Sequence, residues 1–180
     1  DGMVNGEGGA AFLLESRRTA EARGAKVLAR VVAFATTFEP RRDRTPPEGQ
    51  AIRRAIRSVL DQAGLAPSDI GHVNAHGMST TLDDRTEAQA IRDVLGDVPV
   101  TAPKSYFGNL GAGGGAVEMA ASVLALENGQ IPATLNYETP DPECPVNVIC
   151  GQPVPTGARP ALVLNHSRLG HAVAVILAPP

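Results

Sequence analysis

The residues best suited to chemistry fall in three short stretches. "HVNAHGMSTTLDD", residues 72–84, carries two histidines and two adjacent aspartates. "APKSYFGNLGAGGGAVEM", residues 102–119, places Lys104 and Asn109 around a run with five glycines within eight residues. "LNHSRLGH", residues 164–171, is a polar loop between two apolar runs. An imidazole can donate or take a proton near neutral pH. A lysine beside a glycine-rich turn offers a fixed cation where backbone amides are also exposed.

Each stretch admits more than one chemistry. His72 and His76 are four apart, a spacing that suits zinc on a helix, but on a strand and turn the two rings do not share a face. His76 stands where a strand gives way to a loop, the usual place for reactive groups in α/β proteins. A core histidine hydrogen-bonded to backbone is the other reading of it, and both stay open on the residues alone. "GAGGGA", 111–116, fits the G-x-G-x-x-A form of a dinucleotide fingerprint. Yet "SYFGNL" before it does not read as a buried strand, and no acidic ribose partner follows at about 20 residues, since Glu127 belongs to a helix. A phosphate-binding loop of the Walker type is excluded because Lys104 precedes the glycines. Glycines that let a helix N-terminus pack closely on a neighbour are the structural alternative. Cys144 and Cys150 form neither a disulfide framework nor a CxxC clip and read as small, unreactive hydrophobes.

These residues must be held by regular elements, and the chain alternates strand and helix signals. Residues 10–15 read as a strand, and "SRRTAEARG" as a short surface helix stopped by Gly24. "KVLARVVAFATTF" is a long β-branched run. In "PEGQAIRRAIRSVLDQAGL", Ile52, Ile56, Val59, Leu60 and Ala63 recur at helical spacing and Gly64 follows as a C-cap. Ser68–Asp69 looks like a cap before a short strand ending near His76. Asp83 and Asp84 suit a helix start, with Ala88, Ile91 and Leu95 on its apolar face. "VPVTAP" reads as a buried strand. "AVEMAASVLALENG" reads as a helix, apolar nearly all round, closing at Gly129. The last two apolar runs read as a hairpin. The class is α/β: parallel strands covered on both faces, with an antiparallel final pair.

Composition narrows the function. The 180 residues are 43% hydrophobic, enough for a core, and the net charge is −3. A nucleic-acid binder would show a basic face, and 3% aromatics leave little to stack on bases. The basic "RRDR", 41–44, with its Pro-rich neighbours reads as a solvated loop. No apolar run of membrane-spanning length occurs. The first residues, "DGMVNGEGGA", lack the features of a signal peptide. A reducing cytoplasm is the expected compartment. The chain starts without Met on the second half of an apparent strand, so a fragment is expected.

Taken together, "VNAHGMSTTLDD", "PKSYFGNLGAGGGAVE" and "LVLNHSRLGHAVAVIL" resemble the three C-terminal signatures of β-ketoacyl-acyl-carrier-protein synthases, the condensing enzymes of the thiolase fold. "DGMVNGEGGAAFLLE" is similar to the segment that opens the second half of these proteins, so the resemblance covers essentially the whole chain. It implies a thiolase-like C-terminal half spanning residues 1–180, with a mixed sheet covered by helices. The nucleophilic Cys would lie in an N-terminal half absent from this chain, and the fragment alone would be inactive. The implied reaction is decarboxylative condensation of malonyl-acyl-carrier protein with an enzyme-bound acyl group, in fatty-acid or polyketide synthesis. No cofactor is implied. The implied partners are an acyl carrier protein, the N-terminal half and a second copy in a homodimer, with neither nucleic acid nor membrane.

By the same resemblance His76 matches the first of two basic groups that bind the thioester carbonyl, and Lys104 the lysine that orients the site electrostatically. Asp84, Glu87 and Glu118 match supporting acids, although Glu118 also reads as a buried acid satisfied by backbone amides. Thr80, Ser167, Gly170 and His171 fall on substrate-binding loops. The departures are as informative. Asn109 stands where a second His is usual, Met78 where a Thr is, and Ser167 where a gating Phe is. Arg168-Leu169-Gly170-His171 replaces Gly-Phe-Gly-Gly, so Arg168 or His171 is expected to fill part of the space of the missing aromatic. Asn109 could act as a neutral donor to the thioester oxygen. Alternatively, the site is degenerate, as in non-catalytic chain-length-factor subunits.

Overall fold

The computed structural model describes residues 2–40 and 46–180; the basic stretch 41–44 lies outside the described residues. The elements are α1 (Arg17–Ala22), β1 (Arg30–Phe38), α2 (Gln50–Ala63), β2 (His72–Asn74), α3 (Thr81–Leu95), β3 (Pro99–Thr101), α4 (Lys104–Phe107), α5 (Gly114–Asn128), β4 (Gln130–Ile131), β5 (Asn147–Val148), β6 (Val154–Pro155), β7 (Ala161–His166) and β8 (His171–Ala178). Six strands form one mixed sheet in the order β1-β8-β7-β2-β3-β5. The β7, β2, β3 and β5 neighbours are parallel, whereas β8 pairs antiparallel with both β7 and β1. The expected α/β class and closing hairpin are both present.

Strand alternation divides the core between the two faces. On one face Val73, Leu162, Leu164, Ala174 and Ile176 pack against Ile52, Ile56 and Val59 of α2 and Ile91 of α3. The helical spacing of α2 is thereby realised, and Gly64 ends it in the left-handed conformation, with φ 64°. Gly49, at its N-cap, has no side chain to offer. The Glu39 carboxylate caps instead, accepting the amides of Glu48 (2.7 Å) and Ala51 (3.1 Å).

On the opposite face Ala161, Val163 and Leu177 lie beneath Met119, Val123 and Leu126 of α5. This helix, read from the sequence as apolar nearly all round, turns polar residues toward the sheet. Its inward face includes polar residues: Glu118 and Ser122 are 0% and 1% exposed, whereas Leu124 is 55% exposed. Asn74 on β2 accounts for the burial, donating from Nδ2 to the Glu118 carbonyl (2.7 Å) and to Ser122 Oγ (2.8 Å). A buried amide must find partners, and one helical turn supplies both.

One strand expectation fails. Residues 10–15 form no strand; Phe12, Leu13 and Leu14 are exposed, and no neighbouring strand takes up their backbone groups. The short strand expected to end near His76 is present as β2, which stops at Asn74. "KSYF", which did not read as a strand, closes into the one-turn α4. The two glycine-rich segments meet each other: Asn5 bridges Asn109, and a Cβ on Gly6 would fall 1.9 Å from the Phe107 carbonyl oxygen. Glycine there makes room for backbone.

Candidate active site

The C-terminal ends of β2 and β3 present the two central side chains. After Asn74 the chain leaves the sheet; Ala75 still donates to the Thr101 carbonyl (2.9 Å), and His76 and Gly77 then turn away. That turn is fixed from α3. Glu87 accepts the His76 amide on Oε1 (2.8 Å) and the Gly77 amide on Oε2 (2.9 Å), so both carboxylate oxygens hold the loop backbone. Burial alone would raise the Glu87 carboxyl, but the nearby His166 ring, with His76 and the Gly77 amide, holds it at about 2. Burial and the charge of Glu87 push Asp84, one turn earlier, up to about 6, against the opposing influence of the Met78, Thr80 and Ser79 backbone.

Lys104 begins α4, directly beyond β3, and is 7% exposed. Its ammonium donates to the His76 carbonyl (2.7 Å), approaches His76 Nδ1 at 3.0 Å, and pairs with Glu118 Oε1. An ammonium has three protons and no lone pair, so all three donors are in use. Nδ1 of His76 must therefore accept, which leaves the proton of the neutral ring on Nε2. Burial first, with the charges of Lys104 and His166, lowers His76 to about 3 in spite of Glu87. Glu118 is completely buried; burial raises its carboxyl, and Lys104 and the Asn165 amide (3.0 Å from Oε2) oppose that rise. The result is a neutral imidazole held by a buried ion pair, with a donor free on its far side.

His76, Lys104, Glu87 and Glu118 thus form one cluster, as the sequence leads one to expect. The other expected residues are distributed around it. Asn109 lines a cavity of about 640 Å³ together with Gly77, Met78, Asp84, Glu87 and Lys104. Its side chain is engaged locally: Nδ2 donates to Met3 Sδ (2.9 Å) and Oδ1 accepts from the Gly111 amide (3.2 Å). The Thr80 hydroxyl donates to Asp83 at the start of α3. Ser167, Gly170 and His171 line a separate, smaller cavity of about 240 Å³, with Asp83 and His166. Their loop is a tight hairpin turn in which Ser167 donates to the His171 carbonyl (2.9 Å) and Arg168 Nε to Asp83 Oδ2 (2.8 Å). The His171 ring packs on Phe38 at 4.8 Å between centroids. Gly170 has φ +94°, and a Cβ there would lie 2.1 Å from the Glu39 carbonyl oxygen.

Sequence reasoning missed His166. Its side chain is 8% exposed, its ring centroid is 4.7 Å from that of His76, and its Nε2 is 3.7 Å from Glu87 Oε2. The signal was available, because His166 ends an apolar strand run just as His76 follows one. His72, by contrast, is wholly buried, and burial lowers it to about 4.

The chain resembles known proteins along most of its length. A family profile described as Beta-ketoacyl synthase, C-terminal domain, matches residues 28–138. The chain is 42% identical over 178 residues to a 3-oxoacyl-[acyl-carrier-protein] synthase 2 of Mycobacterium bovis, covering 97% of this chain and 43% of that protein. Among solved structures, the ishigamide ketosynthase/chain length factor superposes with a TM-score of 0.94 at 34% identity, covering 99% of this chain and 45% of that one. A type II polyketide ketosynthase, solved in complex with its acyl-carrier protein and bound to the hexaketide, gives a TM-score of 0.86 at 31% identity over 92% of this chain and 42% of that one. The chain therefore spans a little under half the length of the relatives it matches.

Proposed function

Because the chain belongs to the β-ketoacyl synthase family, we propose that it is the C-terminal half of a condensing enzyme that extends an acyl chain by decarboxylative Claisen condensation. In the proposed step the malonyl thioester loses carbon dioxide, and the electron pair of the broken carbon–carbon bond passes into an enolate. The enolate carbon attacks an acyl group held on a Cys thiolate of the N-terminal half; a carbon–carbon bond forms and the thiolate leaves. Charge develops on the thioester oxygen, where a preorganised donor is worth most.

One observation carries this reading: Lys104 and Glu118 hold His76 as a neutral imidazole with its proton on Nε2. A neutral donor stabilises an enolate without taking the proton itself. Asn109 is the proposed second donor at the cavity mouth. Thr80, Ser167, Gly170 and His171 are proposed to border the path of the carrier-bound substrate, with Asp84 supporting the His76 loop. The partner delivering the thioesters is an acyl carrier protein, the chemistry held by the polyketide ketosynthase complex above. A homodimer and a reducing cytoplasm complete the proposal; the free thiols of Cys144 and Cys150 suit such a compartment.

Asn109 also favours a second reading, a non-catalytic partner subunit of the chain-length-factor type, since its amide is already engaged by Met3 and Gly111. The test is malonyl decarboxylation by the full-length protein. His76→Ala should abolish carbon dioxide release while the fold survives; unchanged release would leave His76 a core histidine. Asn109→His should be tolerated, whereas Asn109→Leu should cost about 2–4 kcal/mol of transition-state stabilisation. Equal condensation rates for wild type and Asn109→Leu would favour the partner-subunit reading.

A further inference from the structure

Two of the acids around His76 are held by a cation. Glu118 has Lys104, and Asp83 has Arg168. Glu87, its side chain 3% exposed, spends both oxygens on backbone amides and takes no proton from Lys104, whose three donors are used elsewhere. A buried carboxylate needs a countercharge, because unpaired burial costs far more than any hydrogen bond returns. The side chain in position to supply it is His166 at the end of β7, whose Nε2 lies 3.7 Å from Glu87 Oε2 and has no hydrogen-bond partner among the described residues.

We propose that His166 is the cationic positioning residue of this site: its imidazolium neutralises Glu87, and Glu87 in turn fixes the amides that aim His76. This rests on the condensing-enzyme reading for its consequence in catalysis, and on geometry alone for the charge assignment. Two imidazoles with centroids 4.7 Å apart do not both charge readily, and their neighbours decide which does. His76 has the Lys104 ammonium on Nδ1. His166 faces Glu87 and Asp83 from α3, with the Lys104 cation as an opposing influence. Burial works against the charged form of His166, and the nearby Glu87 carboxylate, aided by Asp83, outweighs it, so its titration lies above the ordinary value. The proton therefore belongs to His166, and His76 remains the neutral donor.

The test follows the imidazole signals of the ¹³C-labelled full-length protein, without substrate, as a function of pH. The signal lost in His166→Gln should titrate above about 6.5, the ordinary histidine value, and should move down in Glu87→Gln. The signal lost in His76→Asn should stay neutral over the same range. A His166 that titrates at or below the ordinary value, or is indifferent to Glu87→Gln, would overturn the proposal, as would a His76 that protonates first. Should Glu87→Gln not fold, the melting-temperature difference between wild type and His166→Gln reads the same pair. It must shrink as pH rises through the His166 midpoint, and a constant difference overturns the proposal. Wild-type decarboxylation should decline through that midpoint, and His166→Gln should lack this limb. The expected titration in a protein that releases no carbon dioxide would support the charge assignment and refute the condensing-enzyme reading alone.

Discussion

Replacing Lys104 with Met isolates what the buried ion pair does. Met approximates the length of lysine and keeps its apolar stem packed, but removes three donors at once: those to Glu118, to the His76 carbonyl and to His76 Nδ1. Glu118, with no exposed surface, is then a buried carboxylate without a cation. Breaking such a pair from one side costs on the order of 3–5 kcal/mol. The variant has one escape, which is to protonate Glu118. Starting from the ordinary value of 4.5, protonation at pH 7 costs about 1.4 kcal/mol per pH unit over about two and a half units, or about 3.4 kcal/mol. That figure is the ceiling on the pH-dependent part of the loss.

The sign follows from burial, which already raises Glu118 and raises it further once Lys104 is gone. A carboxyl whose folded value is raised contributes stability that is present below its unfolded value and lost as pH rises through the folded one. The deficit of Lys104→Met should therefore be smallest below pH 4.5 and grow toward neutrality, by at most about 3.4 kcal/mol. Denaturant melts of the full-length protein across this range provide the assay. A deficit that does not vary with pH would refute the role of Lys104 as the countercharge of Glu118, whatever its size. Carbon dioxide release should also fall, because Nδ1 of His76 loses the donor that fixes its tautomer.

Two further outcomes follow from packing. Gly170→Ala should destabilise the protein by about 1–3 kcal/mol from the left-handed backbone alone, and by more because its Cβ would meet the Glu39 carbonyl at 2.1 Å; an unchanged melting temperature would mean that the β7–β8 turn is not held as described. The isolated 180-residue chain should self-associate and bind a hydrophobic dye, since Leu13, Leu14, Phe34 and Leu124 are 77%, 72%, 69% and 55% exposed. A dye-silent monomer in sedimentation at high concentration would make this half self-sufficient.

The sequence by itself determined the class and most of the elements. Ile52, Ile56, Val59 and Leu60 could lie on one face only as a helix, Gly64 could only stop it, and the paired apolar runs at the end could only be strands, because these signals are local periodicities and caps. His76 and Lys104 were legible as site residues through their order along the chain and the motifs around them. Tertiary structure alone decided the rest. Residues 10–15 have strand composition but no partner, and pairing is not a property of a segment. Glu118 was legible as a buried or supporting acid, but that Ser122 lies inward with it was decided by Asn74, 44 residues earlier than Glu118, which donates to the Glu118 carbonyl and to Ser122 Oγ. Ser167, Gly170 and His171 belong to the hairpin turn because Gly170 must pass within reach of Glu39. The end of an apolar run marks His166 in the sequence, but its place against His76 and Glu87 was decided when β7 and β2 paired side by side. Which histidine holds the proton depends on charges gathered from α3, α4 and β7, and no stretch of sequence contains that sum.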